Sequence, residues 1–274
     1  MNKTVTNAIA LAVLWVAAIL TVVVLGTVIL YVFINGIGQM SPSFIFTWPE
    51  GVAAEGGIWP TIVSTMYVTL LAMVIVTPIA ILAAVYLAEY AVQGRLVGMI
   101  RFAADSLASV PSIVMGLFGL ALFVEAAGIG FSMLSAALAL SFLMLPIVMR
   151  TTEEAIRAVP KYIRWGSYGL GATKWQVVSR SVLPASMPRI VTGIILATGR
   201  AVGETAVVIY TMGQAINMPI TPFDSGRPMT VHLYLLAMEG INLPAAYGTA
   251  LLLMILILAF NLGARYFLRR NRKV

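Results

Sequence analysis

Six stretches of the chain, residues 8–34, 61–91, 102–127, 131–149, 190–213 and 243–264, are apolar almost throughout. Each is near the length of about 20 residues that an α-helix needs to cross a hydrocarbon core. Backbone in lipid must satisfy its own hydrogen bonds, so such runs fold as spanning helices. The pattern predicts an all-α, polytopic membrane protein with about six transmembrane helices, residues 1–274 forming a single transmembrane domain. Composition agrees: 10% of the residues are charged, against about a quarter in ordinary soluble domains. The first run is too long for a signal peptide's apolar region and no small-residue cleavage site follows it, so it reads as the first span. Residues 61–91 are long enough to tilt, with Pro78 as a kink point. The three residues 128–130 predict a tight hairpin between spans three and four.

A net charge of +7 can signal nucleic acid or a membrane surface. Here the basic residues lie in short loops between apolar runs, which is how membrane topology is encoded. With the N-terminus in the cytoplasm, all 17 basic residues fall inside except Arg200, within a span, and Arg227, outside. The cytoplasmic set includes Lys3, Arg95, Arg101, Arg272 and Lys273. The opposite orientation inverts the positive-inside rule, so both termini are expected in the cytoplasm. No segment offers the solvated basic patch that a nucleic-acid role needs. The absence of cysteine excludes disulfides, thiolate metal sites and thiol nucleophiles. The single histidine, His232, cannot build a multi-histidine cluster and reads as a loop or interface residue. Trp48 and Trp59 read as interfacial anchors, and the methionines as packing residues.

Residues 150–189 form the one long inside loop. Glu153 to Val159 predict a short amphipathic helix ending near Pro160, a second helix runs to about Leu170, and a third covers Trp175 to Leu183. Gly171-Ala172-Thr173 separates the last two, and glycine tolerates the left-handed turn of a compact elbow. On composition alone, a helix pair lying on anionic lipid is the alternative.

The spacing in this loop resembles the permease signature of binding-protein-dependent ABC importers: Glu-Ala-Ala, three residues, Gly, nine residues, an apolar residue, any residue, Leu-Pro. Gly171 is followed by Ala172–Arg180, then Ser181-Val182-Leu183-Pro184. The Glu-Ala-Ala positions fall on Trp165-Gly166-Ser167, so the glutamate is replaced, and Ser181 stands at the apolar position. AILAAVYLAEYA (80–91), SVPSIVMGLFGL (109–120), TEEAIRAVP (152–160) and ATGRAVGETAV (197–207) resemble the phosphate-specific permeases of the PstA and PstC type. The run LPASMPRIVTGIILATGRAVGETA is more similar to the PstA family. The resemblance implies the permease fold of the methionine and maltose importers. It also implies a heterodimer with a PstC-like permease, two ATP-binding subunits and an extracytoplasmic phosphate-binding protein. Trp165, Gly166, Ser167, Gly171, Ala172, Leu183 and Pro184 would then couple to the ATPase. No GxxxxGK[ST] motif occurs, so the chain is expected to be no enzyme and to hold no cofactor, with ATP and Mg on partner subunits.

Arg200 and Glu204 fall within the fifth apolar run. A charge at mid-membrane costs about 2.5–3.5 kcal/mol on insertion scales, so it normally faces a partner or a wet cavity. At a spacing of four the two are expected to stack on one helix face and pair, either bracing neighbouring helices or lining a path. On a path, Arg200 would bond phosphate oxygens, Glu204 would compete for the guanidinium, and Thr205 would add a hydroxyl. Ser109–Ser112 suits a helix start as well as an anion contact. Glu89 and Asp105 are expected to form interfacial salt links beside Arg95 and Arg101, and Glu125 and Asp224 to face outside.

Other functions make different demands. A proton-coupled secondary transporter using Glu204 should show matched repeats with broken helices; no repeat is evident. An intramembrane enzyme would need a Ser/His/Asp set or a metal cluster. A permease for molybdate, tungstate or phosphonate remains open, because the binding protein largely chooses the substrate.

Overall fold

The computed structural model describes residues 3–50 and 55–270; Arg272 and Lys273, placed inside on sequence grounds, lie outside them. In chain order, α1 (Lys3–Gly36) is followed by a 3₁₀ turn, α2 (Pro42–Phe46) and a two-residue antiparallel pair, β1 (Pro49–Glu50) with β2 (Glu55–Gly56). Next come α3 (Trp59–Val85), α4 (Arg95–Ser109), α5 (Ser112–Gly119) and α6 (Met133–Arg157). The remaining helices are α7 (Lys161–Gly169), α8 (Lys174–Val177), α9 (Leu183–Val202), α10 (Ala206–Thr211), α11 (Met229–Met238) and α12 (Leu243–Arg270). Three π-turns extend or join them: Tyr86–Tyr90 continues α3, Leu120–Ala126 continues α5, and Val178–Val182 links α8 to α9. Among the described residues, five helices are long and apolar enough to span a membrane, or six if the bent α4–α5 pair is one span.

The centre is the α3–α6 pair, closed by small residues. Ala72, Ala80, Ala84, Ala136, Ala137 and Ala139 are completely buried, which lets the two backbones approach as membrane helices do. The Ser141 hydroxyl bonds Ala137 O on its own helix at 2.7 Å and lies 3.2 Å from Ala72 O across the interface. α9 packs against α6, and α11 packs against α12. Helix α1 stands apart. None of its most apolar stretch is buried, and its main neighbour is α12, through Tyr31 edge-on to Tyr247 at 5.7 Å.

Pro78 sits inside α3 without ending it, whereas the third expected span is not one helix. Pro111 lacks an N–H and its ring drives the preceding residue out of the α region. Val110 is accordingly extended (φ −64°, ψ 130°), and the axes of α4 and α5 meet at 101°. Ser109 does not cap α5; its hydroxyl bonds Ser106 O at 2.7 Å. The fifth expected span is also broken: α9 ends at Val202 and α10 starts at Ala206. The expected loop 150–189 is shorter, because α6 runs unbroken to Arg157 and α9 begins at Leu183. Glu153 therefore belongs to a spanning helix rather than to a separate amphipathic one.

The ion pairs differ from expectation in their partners. Glu89 pairs with Arg164 (2.7 Å) and Asp105 with Arg150 (3.1 Å), because the elbow helix and the end of α6, not α4's own arginines, lie beside them. Glu153 is a hub, taking Arg101 at 2.8 Å and Arg157 at 2.9 Å while its side chain is only 4% exposed. Glu153→Gln is expected to lower the stability of the detergent-solubilised protein by about 2 kcal/mol. That is below the usual ~3–5 kcal/mol for breaking a buried pair, since the half-exposed Arg157 can return to water. Thermal unfolding measures it, and an unchanged midpoint would refute the hub.

His232 also departs from expectation. It lies fully buried in α11, and neither ring nitrogen has a protein partner among the described residues. The ten-residue α11 is too short to register as a span, so its interior position was hidden in a segment read as loop.

Candidate functional site

The break between α9 and α10 is built from residue 203 onwards. Gly203 ends the helix, and the freed carbonyl of Glu204 accepts a bond from the Thr230 hydroxyl at 3.0 Å. Irregular backbone inside a membrane domain needs such a replacement partner. Ala201 O retains the Glu204 N–H at 3.1 Å.

This break separates the residues that sequence grouped together. Arg200 lies in the last turn of α9 and Glu204 beyond the end of that helix, so they share no helix face. Among the described residues four ion pairs form, and none joins Arg200 to Glu204. Arg200 instead belongs to the unburied stripe of α9, with Arg189, Thr192, Leu196 and Gly203. The opposite face, including Ile190, Ala197 and Ala201, is packed into the protein. Asn261 of α12 lies beside Gly199, where a β-carbon would meet its amide nitrogen in ordinary contact at 3.7 Å.

Thr205 lines a cavity of about 260 Å³ with Ile113, Ala206, Ile209, Tyr210 and Tyr234. That volume is just under the ~300 Å³ at which drug-sized pockets begin. Thr205, Tyr210 and Tyr234 are the hydroxyl-bearing residues in an otherwise apolar lining. Gly116 allows α5 to close against α10, since a β-carbon there would reach 2.6 Å from Ala206 O. Sequence reasoning found Thr205 and missed both tyrosines. Nothing in their local sequence marks them, because they converge from α10 and α11.

The elbow forms where it was expected. Gly171 has φ +80°, a left-handed value that favours glycine, and Thr173 with Gln176 forms a capping box that starts α8. Ser167 and Ser181 hydroxyls meet at 2.9 Å, so two departures from the expected residue types bond each other across the turn. Ser167, Gly171, Ala172, Gln176, Arg180 and Ser181 border an open hollow of about 320 Å³. Trp165 is 69% exposed, and Gly166 is exposed beside it. Leu183 and Pro184 sit at the start of α9. Among the described residues no three His, Cys, Asp or Glu side chains gather as a metal site.

In the loop between α10 and α11, the Asp224 carboxylate accepts the N–H groups of Thr221 (2.7 Å) and Ile220 (2.8 Å) and the Thr221 hydroxyl (2.9 Å). These donors, the Thr221 and Ile220 backbone first, hold it below the usual carboxylate range.

Five to six apolar spans, a helix broken beside a small and mostly apolar cavity, and an elbow packed on the ends of α3 and α6 describe a multi-pass membrane protein. The chain belongs to the binding-protein-dependent transport system inner membrane component family, whose profile matches residues 77–273. It is 34% identical to the probable ABC transporter permease protein YqgI of Bacillus subtilis, over 97% of this chain and 96% of that protein. It is 37% identical to the phosphate transport system permease protein PstA 1 of Mycobacterium tuberculosis, over 82% of this chain and 74% of that one. Among solved structures, the fold matches an inward-facing MetNI methionine ABC transporter with TM-score 0.63 at 20% identity, covering 78% of this chain and 94% of that one. It matches a bacterial alginate ABC transporter, in complex with an alginate-bound periplasmic protein, with TM-score 0.74 at 15% identity, covering 99% and 98%.

Proposed function

We propose that this chain is the PstA-type permease subunit of an ATP-driven, binding-protein-dependent importer of inorganic phosphate. The observation that carries the reading is the identity of 37% to a phosphate permease over 82% of this chain. A small cavity with three hydroxyl-bearing residues in its lining suits a small hydrogen-bonding anion better than a bulky solute. On this reading both termini and the elbow lie in the cytoplasm, as the distribution of basic residues favours. The chain pairs with a PstC-like permease, two ATP-binding subunits carry ATP and Mg, and a phosphate-binding protein docks outside.

The substrate path on this reading runs along the free stripe of α9. Polar side chains in membrane helices face water-filled cavities or partners rather than lipid, and this stripe carries Arg189, Thr192 and Arg200. Arg200 supplies charge to the anion and Thr205 a hydroxyl from the adjoining cavity. Glu204, freed from Arg200 here, can compete for it only after the break rearranges. Trp165, Gly166, Ser167, Gly171, Ala172, Leu183 and Pro184 form or border the elbow that meets the ATPase.

The test is labelled phosphate uptake in cells lacking this chain and redundant phosphate systems, complemented by the wild-type chain, with molybdate as competitor. Restored uptake that molybdate does not compete away is expected. No phosphate defect in the deletion would overturn the assignment, and competition by molybdate would move it to another oxyanion.

A further inference from the structure

The elbow touches the spanning helices in one place more firmly than packing requires. Arg164 of α7 reaches Glu89, at the elbow end of the second span, through Nε at 3.0 Å and Nη2 at 2.7 Å. The same guanidinium donates to Val159 O (2.6 Å) and Ile156 O (2.8 Å), carbonyls at the end of α6. Both side chains of the pair are largely shielded, 17% and 11% exposed. One residue further on, Lys174 of α8 places its ammonium 4.7 Å from the centre of the Tyr90 ring. The two arms of the elbow thus grip consecutive residues of one segment. That segment is the π-turn Tyr86–Tyr90, in which Ala91 N–H reaches back five residues to Tyr86 O at 2.8 Å.

Beneath the grip lies a separate apolar cluster of Val85, Ile156, Val159, Val177, Val178 and Val182. It joins the end of α3, the end of α6 and the elbow, and is distinct from the central core. α4, the next helix along the chain, has no part in it. It packs instead into the central core through Val97 and Ala104 and reaches α6 through the Arg101–Glu153 and Arg150–Asp105 pairs.

We propose that Glu89 is a positioning residue for transport: with Tyr90 it is the point through which the elbow moves the second span. The proposal rests on the importer reading, in which the elbow receives motion from an ATPase. A largely buried ion pair is weak as a source of stability, since desolvation offsets its attraction. It is strong in direction, because charge-assisted N–H···O bonds fix the geometry of both partners. Two contacts from two helices on adjacent residues leave α3 little freedom to pivot or slide against the elbow. A push on α7 or α8 therefore displaces α3 and the end of α6 as one body.

The chain has no cysteine, so labels can be placed cleanly. Nitroxides on Val92→Cys, just beyond the π-turn, and Lys161→Cys, at the start of α7, report the separation of the gripped parts. Both positions are exposed. In the complete complex in nanodiscs, the separation is expected to be the same without nucleotide and with ATP and vanadate. Adding Glu89→Gln and Lys174→Met should make it nucleotide-dependent and lower the phosphate imported per ATP hydrolysed about tenfold, a common size for a coupling between sites. If Glu89→Gln prevents assembly, Lys174→Met alone should broaden the label separation. A separation that stays fixed in the variants, or one that already changes in the wild type, overturns the proposal. Wild-type complex that hydrolyses ATP but imports no phosphate would refute the substrate instead, and the label separations would still decide the grip.

Discussion

Arg200→Gln is expected to lower phosphate uptake about 10- to 100-fold while the complex assembles and hydrolyses ATP. The estimate follows from the ~1.5–3 kcal/mol carried by a hydrogen bond to a charged group, each 1.4 kcal/mol being a factor of about ten. Glutamine keeps a donor and similar bulk but removes the charge. Arg200 stands on the free stripe of α9, so the change creates no cavity in the core. An alternative use for the charge is to offset the negative end of the α9 dipole. That effect is worth about 0.3–1 kcal/mol and acts on stability, so it would shift the melting temperature and leave uptake in place. Uptake by the purified, reconstituted variant separates the two, and a wild-type rate would remove Arg200 from the path.

The largest structural effect belongs to Gly193. A β-carbon at this position would overlap the Thr151 hydroxyl and come within 2.6 Å of Thr151 Cβ, where α9 rests on α6. Neither helix can yield locally, because Ile190 and Ala197 on one side and Val148 on the other are fully buried. Gly193→Val should therefore cost at least the ~1–3 kcal/mol typical of overpacking, with a lower melting temperature and less assembled protein in the membrane. Thr151→Gly in the same chain should recover most of the loss. Recovery stays incomplete because glycine in a helix costs about 1 kcal/mol relative to alanine. A Gly193→Val protein that melts like the wild type would show that the two helices are not held at this distance.

Sequence revealed those parts of the fold that repeat a simple pattern. The apolar runs located the long helices, and Gly171 with the Leu183-Pro184 spacing located the elbow. The breaks were harder to see. Val110-Pro111 was legible as a boundary, but not the 101° turn, which depends on what α4 docks against. The α9 break has only Gly203 as a local sign; what stabilises it is the Thr230 hydroxyl, 26 positions from the Glu204 carbonyl it serves. The expected Arg200–Glu204 pair failed for that reason, since spacing of four means proximity only while the helix continues. Glu89 was recognised as a salt-bridging residue, but its partner is 75 positions away, beyond the reach of any local rule. Of the cavity's lining, sequence singled out Thr205 as a hydroxyl donor but not Tyr210 and Tyr234, which reach it from different helices.

The isolation of α1 bears on how the chain is made. α1 leaves the ribosome long before α12, its main packing partner, exists. Gly36 is shaped for that late contact, since a β-carbon there would sit 2.6 Å from Tyr247 O. Until α12 inserts, α1 lacks its main packing partner among the described helices. The α3–α6 core can close without α12, but α1 docks only once α12 is in the bilayer. A chain stopped before α12 would present quality-control proteases with an unanchored first span.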